Sequence, residues 1–487
     1  MTDTFRNRPS LALRRRRPIA LRLAESAAAG AFADTADVVR WFAEYGKRAY
    51  TRTERVPLEE LKDWKQDPGT GDISHHSGKF FSIEGVEVHV PGAPVAHWSQ
   101  PIINQPEVGI LGILAKEFDG VLHFLMQAKV EPGNVGGLQL SPTVQATRSN
   151  YTRVHGGRPV PYLEYFLDTE DHHIVADVRQ SEQGSAFLRK RNRNMVVETA
   201  DDVHVRDGFR WLTLGQLHRL LALDDLLNMD ARTVLACLPL AHPELPSVHG
   251  RPDEGFRDAL LRSAGAPSGT LHTLGELLSW ITQARSRTDV RTARVPLAGL
   301  PGWQHRDGRI SHESGRFFDV VGVSVEAGGR EVARWSQPMI APYGTGVAAF
   351  LVRRFRGVLH ILAHTRVEAG YLDVIELAPT VQCTPANYEL LPPEARPRFL
   401  DTVLGAPRES IRYDTVLSEE GGRFHHARNR YLIVETDAEV RPDDPEFRWC
   451  SLHQLVELLR HSHYLNVQAR SLVACLHSLL SGPAARP

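Results

Sequence analysis

The sequence predicts an α+β fold built from two tandem copies of one mixed domain, each a β-sheet with flanking helices. Three observations carry the prediction. The stretch Leu122–Tyr151 (LHFLMQAKVEPGNVGGLQLSPTVQATRSNY) returns as Leu359–Tyr388 (LHILAHTRVEAGYLDVIELAPTVQCTPANY) with one unbroken offset. Each copy alternates with a strand's period of two in its middle and shows helical spacing at both ends. The repeat is far longer than the units that stack into solenoids, so a whole domain is duplicated.

Each copy opens with a helix: Val38-Val39-Arg40-Trp41-Phe42 answers Leu277-Leu278-Ser279-Trp280-Ile281. An arm follows, Arg55-Val56-Pro57-Leu58 beside Arg294-Val295-Pro296-Leu297. Ile73–Phe81 and Ile310–Phe318 share a pattern that runs on as EGVEVHV and VGVSVEA, alternating like half-buried strands. Trp98-Ser99-Gln100-Pro101 and Trp335-Ser336-Gln337-Pro338 come next. Two apolar runs, Gly109–Phe118 and Val121–Gln127, flank Asp119-Gly120, a strong hairpin signal; the second copy turns at Arg356-Gly357. Strands are expected at Met195–Glu198 and Tyr431–Glu435. Two helices then close each copy, Leu214–Leu221 with Ala231–Leu238, and Leu452–Leu459 with Ala469–Leu476. Ala241–Gly255, rich in Pro, His and Gly, suits a linker. The expected organisation is a tail at 1–17, a repeat at 18–240, a linker at 241–256 and a second repeat at 257–487.

At 487 residues, 42% hydrophobic and 24% charged, the composition is that of an ordinary soluble globular protein. A net charge of −1 gives no overall field to recruit nucleic acid or an anionic membrane. Four cysteines without a CxxC pair argue against a disulfide framework or a zinc site and suit a reducing cytoplasm. No apolar run approaches the ~20 residues of a spanning helix. Arg14–Arg17 before a mildly apolar stretch suggest an export signal, but Arg22 and Glu25 interrupt it, and the stretch has a counterpart from Ala259 onward. The expectation is therefore a fold segment.

Several polar residues invite a chemical reading. Lys129 and Glu131 are two apart, so on a strand they share a side; Arg366 and Glu368 repeat them. The alternative is a surface ion pair beside a Pro-Gly turn. Gln139, Ser141, Thr143, Gln145 and Thr147 would form one nearly uncharged face on a strand. Such a face is either solvated or a pocket wall suited to sugar hydroxyls and diphosphate oxygens. Thr380, Gln382 and Thr384 keep it in the second copy, while Glu376 and Ala378 replace Gln139 and Ser141. Asn150-Tyr151 recur as Asn387-Tyr388; the phenol is either a strand cap or a proton donor. Ser181-Glu182 recur as Ser418-Glu419. Arg191, Asn192 and Asn194 recur as Arg428, Asn429 and Tyr431, and guanidinium forks suit a diphosphate. Trp98 and Trp335 could stack on a base or simply pack. His75-His76, His172-His173 and His425-His426 point to opposite faces of a strand, so no metal is expected. Gly344–Ala349 fits a dinucleotide fingerprint, but a strand-like run follows it where a helix would be needed.

The paired WSQP, the EPGN turn, the QLSPTVQATRSNY run and the SEQGSAF…KRNRN run together resemble the NDP-hexose 2,3-dehydratase family of deoxysugar biosynthesis, over about Pro18–Leu480. The resemblance implies a duplicated Nudix-like domain, an intertwined homodimer, and two nucleotide-sugar pockets per subunit, one of them vestigial. There is no REUxEE box, so metal-dependent pyrophosphate cleavage is not implied. The implied substrate is a dTDP-4-keto-6-deoxyhexose, for a glycosylated natural product such as an antibiotic. Its dehydration needs no cofactor, and its product would pass to a separate 3-ketoreductase. The reaction needs a base at carbon 3, an acid for the 2-hydroxyl and donors at the enolate oxygen. Glu131 is expected as base with Glu182 second, Lys129 at the enolate, and Tyr151 or Thr143 as acid. Arg191, Asn192 and Asn194 are expected on the diphosphate, with Trp98, Gln139, Ser141, Gln145, Thr147, Asn150 and Ser181 binding substrate. Trp335, Arg366, Glu368, Thr380, Gln382, Asn387, Tyr388, Ser418, Arg428 and Asn429 would form the second, vestigial pocket. A nucleotide-sugar-binding protein and a cofactor-free keto-sugar isomerase or epimerase are the alternatives.

Overall fold

The computed structural model describes residues 17–29, 34–148, 159–244, 255–265, 269–328 and 333–481. Among them it has four β-sheets and ten α-helices, a mixed α+β architecture. Each repeat builds a seven-stranded sheet. In the first, the order is His173–Ser181, Arg191–Glu198, Gly109–Phe118, Val121–Val130, Phe209–Thr213, and the second repeat has the same order. The Arg191–Glu198 and Gly109–Phe118 strands run parallel; their neighbours are antiparallel.

The predicted hairpin forms. Asp119 and Gly120 take φ of 50° and 81°, as Arg356 and Gly357 take 50° and 76°, the doubly left-handed turn that matches strand twist. Beyond Leu114↔Leu125 its two strands part. Leu138–Ser141 then pairs with one, and Val144–Ala146 with the other. The polar run is therefore not one strand, which corrects the single-face reading: it breaks at Pro142, where a missing N–H ends the ladder.

The arms cross between repeats. Thr51–Val56 pairs along Phe318–Ala327 of the second repeat, and Arg291–Val295 along Ser82–His89 of the first. Each five-stranded sheet thus holds four strands of one repeat and one of the other. The closing helices Met229–Ala236 and Val467–Leu480 pack together, and one hydrophobic core spans both repeats, from Leu23 to Leu480.

Helix Ile19–Ala29 belongs to this core. Ser26 donates to the Leu122 carbonyl at 2.5 Å, and buried Arg22 binds Glu198 at 2.5 Å and Glu117 at 2.6 Å. The charge that interrupts its apolar stretch is used in the fold. Among the described residues no helix is long and apolar enough to cross a membrane.

Candidate active site

Strand Val121–Val130 delivers Lys129, and the turn after it delivers Glu131. That turn docks on the second repeat. Gly133 N–H donates to the Gly421 carbonyl at 2.8 Å, and its own carbonyl accepts from His426 N–H at 2.7 Å. A Cβ on Gly133 would stand 1.7 Å from the Phe424 carbonyl oxygen, so only glycine permits the approach. The mirror contact joins Gly370 to Gly184 and Arg189, each at 2.7 Å. Each repeat's Ser-Glu-x-Gly loop is thereby inserted beside the other repeat's turn.

The insertion brings Glu420 of the second repeat to Glu131 of the first. Carboxylate oxygens of Glu131, Asp230 and Glu420 all lie within 4.8 Å of one another. Glu131 accepts from Gln145 Nε2 at 2.6 Å and from Asn134 and Asn228 Nδ2 at 3.4 Å each, with Lys129 Nζ at 3.9 Å. Asn228 also caps helix Met229–Ala236, accepting from Ala231 N–H at 2.8 Å. The cap thus fixes Asp230 in the first turn, beside Glu131. Arg423 lies over the Phe81 ring, 4.2 Å from its centre, and donates to Gln105 Oε1 at 3.2 Å. Buried Lys190 donates to the Glu107 carbonyl, and buried Glu182 accepts from Asn192 Nδ2 at 2.6 Å.

Burial sets the protonation of this group. It raises the Asp230 carboxyl well above the usual range, and Glu182, Glu420 and Glu131 raise it further. Burial pushes Glu420 to about 7 against the pull of Arg423. It also raises Glu182 and brings the Lys190 ammonium down to about 8. Carboxyls so close and so buried do not all ionise together, so the cluster holds at least one proton near neutral pH.

The second repeat's motif lines a cavity of about 660 Å³ with Arg366, Glu368, Gln382 and Tyr388, joined by Trp98 and Gln183 of the first repeat. Glu368 accepts from Arg366 Nε at 2.8 Å and from Gln382 at 3.0 Å, and Asn466 donates to Gln382 at 2.7 Å. This frame copies Lys129, Glu131, Gln145 and Asn228. Glu182 is also copied, as Glu419, but four other charges are not. Gln183 stands at the position of Glu420, Gln468 at that of Asp230, Ala186 at that of Arg423 and Ala427 at that of Lys190, and all four line the cavity.

The family model described as NDP-hexose 2,3-dehydratase matches residues 35–238 and 274–476. This chain belongs to the NDP-hexose 2,3-dehydratase family. A relative from Amycolatopsis orientalis is 49% identical over 92% of this chain and 91% of its own. One from Saccharopolyspora spinosa is 51% identical over 90% of each, and one from Streptomyces violaceoruber 48% identical over 93% and 99%. Each is named a dTDP-4-dehydro-6-deoxy-alpha-D-glucopyranose 2,3-dehydratase. Among solved structures an ADP compounds hydrolase aligns with 34% of this chain and 85% of its own at 18% identity and a TM-score of 0.22, too low to carry an argument.

Within this dehydratase-family chain, Lys129, Glu131 and Gln145 come together, and Glu182 and Asn192 contact each other. Asn150 and Tyr151 lie outside the described residues. Thr143 corrects its expected role as acid. It is 1% exposed, donates to the Leu125 carbonyl at 2.5 Å and accepts from Leu114 N–H at 2.9 Å where the hairpin parts. Thr380 does the same with Leu362 and Leu351. Three further residues are in contacts of the fold, not free for a sugar. Gln139 accepts from Ser418 at 2.7 Å and Ser181 donates to Glu376 at 2.6 Å, both across the repeats. Ser141 donates to the Gln127 and Pro142 carbonyls at 3.3 Å.

Asn194 donates to the Asn192 carbonyl at 3.1 Å and is 1% exposed. Arg191 heads the same strand, its charge disfavoured by burial and by Arg179. Thr147 follows strand Val144–Ala146, half-buried. Trp98, expected with the first copy, lines the second-copy cavity, as do Asn387, Arg428 and Asn429. Trp335 donates to Gln337 at 3.0 Å and packs on the Val321–Val325 strand face. Sequence reasoning missed Asn228, Asp230, Arg423 and Glu420. The Leu-Asn-x-x-Ala-Arg match of Leu227–Arg232 with Leu465–Arg470 marks Asn228, and the change from SEQG to SEEG marks Glu420.

Proposed function

We propose that this chain eliminates water across carbons 2 and 3 of dTDP-4-keto-6-deoxy-D-glucose. The observation that carries the reading is sequence identity of about one half, across nine-tenths of both chains, to relatives named for that reaction. The carboxyl cluster where the two repeats meet supports it, because β-elimination beside a ketone needs a base and an acid together. Glu131, whose oxygens accept from three amides, takes the proton from carbon 3, which the 4-ketone acidifies. Lys129 and Arg423 supply positive charge for the enolate oxygen. Departure of the 2-hydroxyl as water leaves an enol that tautomerises to the 3,4-diketo sugar.

Further parts of the same reading are a Nudix-like ancestry of each repeat, a homodimer in the cytoplasm, and transfer of the diketo product to a 3-ketoreductase. The mixed sheet between helices in both repeats supports the first. The reactivity of a 3,4-diketone supports the last. Incubation with dTDP-4-keto-6-deoxy-D-glucose tests the reaction by mass spectrometry. Loss of one water per sugar is expected; unchanged mass would leave an isomerase or a binding protein.

A further inference from the structure

We propose that Glu420, contributed by the second repeat, is the catalytic acid that protonates the departing 2-hydroxyl, and that Asp230 shares its proton. The inference rests on the dehydratase reading above and deepens it.

The first argument is geometric. Glu420 reaches the first repeat's Lys129–Glu131 motif only because the loops are exchanged, and it meets Glu131 and Asp230 within 4.8 Å. Asp230 is 3% exposed, and its Oδ1 has no hydrogen-bond partner among the described residues. Glu420 Oε2 is likewise sealed and unpartnered among them, while the residue as a whole keeps an edge on solvent. Asp230 and Glu420 each carry a sealed, unpartnered oxygen and have carboxylate oxygens within 4.8 Å of each other, close enough to share a proton, and the exposed edge of Glu420 is where a substrate hydroxyl can meet it. The second argument comes from the other pocket. There the holding residues are kept, as Glu368, Gln382 and Asn466, but Glu420 and Asp230 become Gln183 and Gln468. A carboxamide has nearly the shape of a carboxyl and still hydrogen-bonds, but it cannot give up a proton. Both exchanges remove proton transfer; Glu420 to Gln183 also keeps volume, whereas Gln468 is one methylene longer than Asp230.

The step balances with the groups present. Glu131 takes the carbon-3 proton. Glu420 gives its proton to the 2-hydroxyl as the carbon–oxygen bond breaks, and water leaves. Protonated Glu131 then returns its proton to carbon 2, and the 3-hydroxyl of the enol returns its proton to Glu420. The charged groups that set this exchange are Glu131, Glu182, Arg423 and Asp230 around Glu420, with Lys129 beside Asp230.

The test compares wild type and Glu420→Gln with dTDP-4-keto-6-deoxy-D-glucose in deuterium oxide, reading carbon-3 exchange and water loss separately. The expected result is exchange within about fivefold of wild type and elimination slowed by about 10²–10⁴. Asp230→Asn should slow elimination less and move the alkaline limb of its pH profile. Calorimetric binding of dTDP shows that each variant is folded; should Glu420→Gln fail it, Glu420→Asp serves, with slowed elimination and intact exchange expected. Elimination at the wild-type rate in the variant overturns the proposal, as does equal loss of exchange and elimination. Elimination abolished by EDTA and restored by a divalent cation would make the carboxylates metal ligands and overturn it too. A wild type that releases no water overturns the dehydratase reading itself.

Discussion

Replacing Arg232 by methionine should cost about 4 kcal/mol of stability, because this side chain ties the first repeat to the loop that carries Glu420. Arg232 is fully buried, and it donates to the Leu227 carbonyl at 2.7 Å, to the Ser418 carbonyl at 2.6 Å and to Ser471 Oγ at 3.2 Å. Its guanidinium stands 5.4 Å from the centre of the Tyr431 ring. Methionine keeps the apolar stem and removes every one of these bonds. Two buried carbonyls are left unpaired at about 1–3 kcal/mol each, and the ring contact loses about 1–2 kcal/mol. Relief of the buried charge offsets part of this, which leaves about 4 kcal/mol. Ser418 stands two residues before Glu420, so a loosened loop should also lower kcat more than it raises KM. Arg470 mirrors the site, donating to the Leu465 carbonyl at 2.6 Å, the Ser181 carbonyl at 2.5 Å and Thr233 Oγ1 at 2.6 Å. Arg470→Met should therefore destabilise equally, and the double variant by less than the sum, because the two helices share the contact. Urea unfolding followed by tryptophan fluorescence measures all three. A loss below about 1 kcal/mol for Arg232→Met would refute the argument that these bonds lock the repeats.

Three further outcomes can be checked. Gly133→Ala should lower both the thermal midpoint and kcat, because its Cβ overlaps the Phe424 carbonyl; Gly370→Ala, 1.8 Å from the Phe187 carbonyl, should lower the midpoint similarly with less effect on kcat. Glu420 is held at about 7 when folded, above its unfolded value, so its contribution is complete in acid and is lost as pH rises through about 7. Urea unfolding should show stability falling by about 3 kcal/mol between pH 5 and 8, and Glu420→Gln should flatten most of that slope, which belongs to the Glu420–Asp230 pair. Thr143→Val should destabilise by about 1–3 kcal/mol by unpairing Leu125 O and Leu114 N–H, while kcat per folded molecule stays near wild type; a collapse of kcat in folded Thr143→Val would restore it as an acid.

Local patterns made much of the fold legible. The turn at Asp119-Gly120 and the closing helices with their repeated Ala-Cys formed where the pattern placed them, while the strands of the arms run earlier, over Thr51–Val56 and Arg291–Val295. What the patterns do not encode is a partner. Thr51–Val56 reads the same whether it pairs within its own repeat or with the other, since both offer equivalent edges. The break in the polar run did have a signal, because Pro142 and Pro379 interrupt an otherwise alternating segment. The candidate site was read from polar residues that recur, and many of those turn out to hold structure: Thr143 with Thr380 in the sheets, Ser181 with Ser418 between repeats. The acidic residues that surround Glu131 are those that fail to recur. Their proximity could not be read, because Glu420 is far from Glu131 in sequence and meets it only through the exchanged loop.

The exchange also means that the groups gathered around Glu131 come from both repeats. Asp230 and Lys190 differ from their counterparts within the first repeat, and Glu420 and Arg423 within the second; Asp230, Glu420 and Arg423 interact with Glu131, and Lys190 with Glu420 and Glu182. Independent drift in two halves would scatter such changes over both pockets. Here each change adds an ionisable group to one pocket, and its counterpart leaves an amide or a methyl in the other. Because the loops cross, altering the loop of one repeat changes the pocket of the other. One site could gain these extra charged groups and the other amides and methyls only if both halves diverged in concert, and the shared core keeps them bound together while they do so.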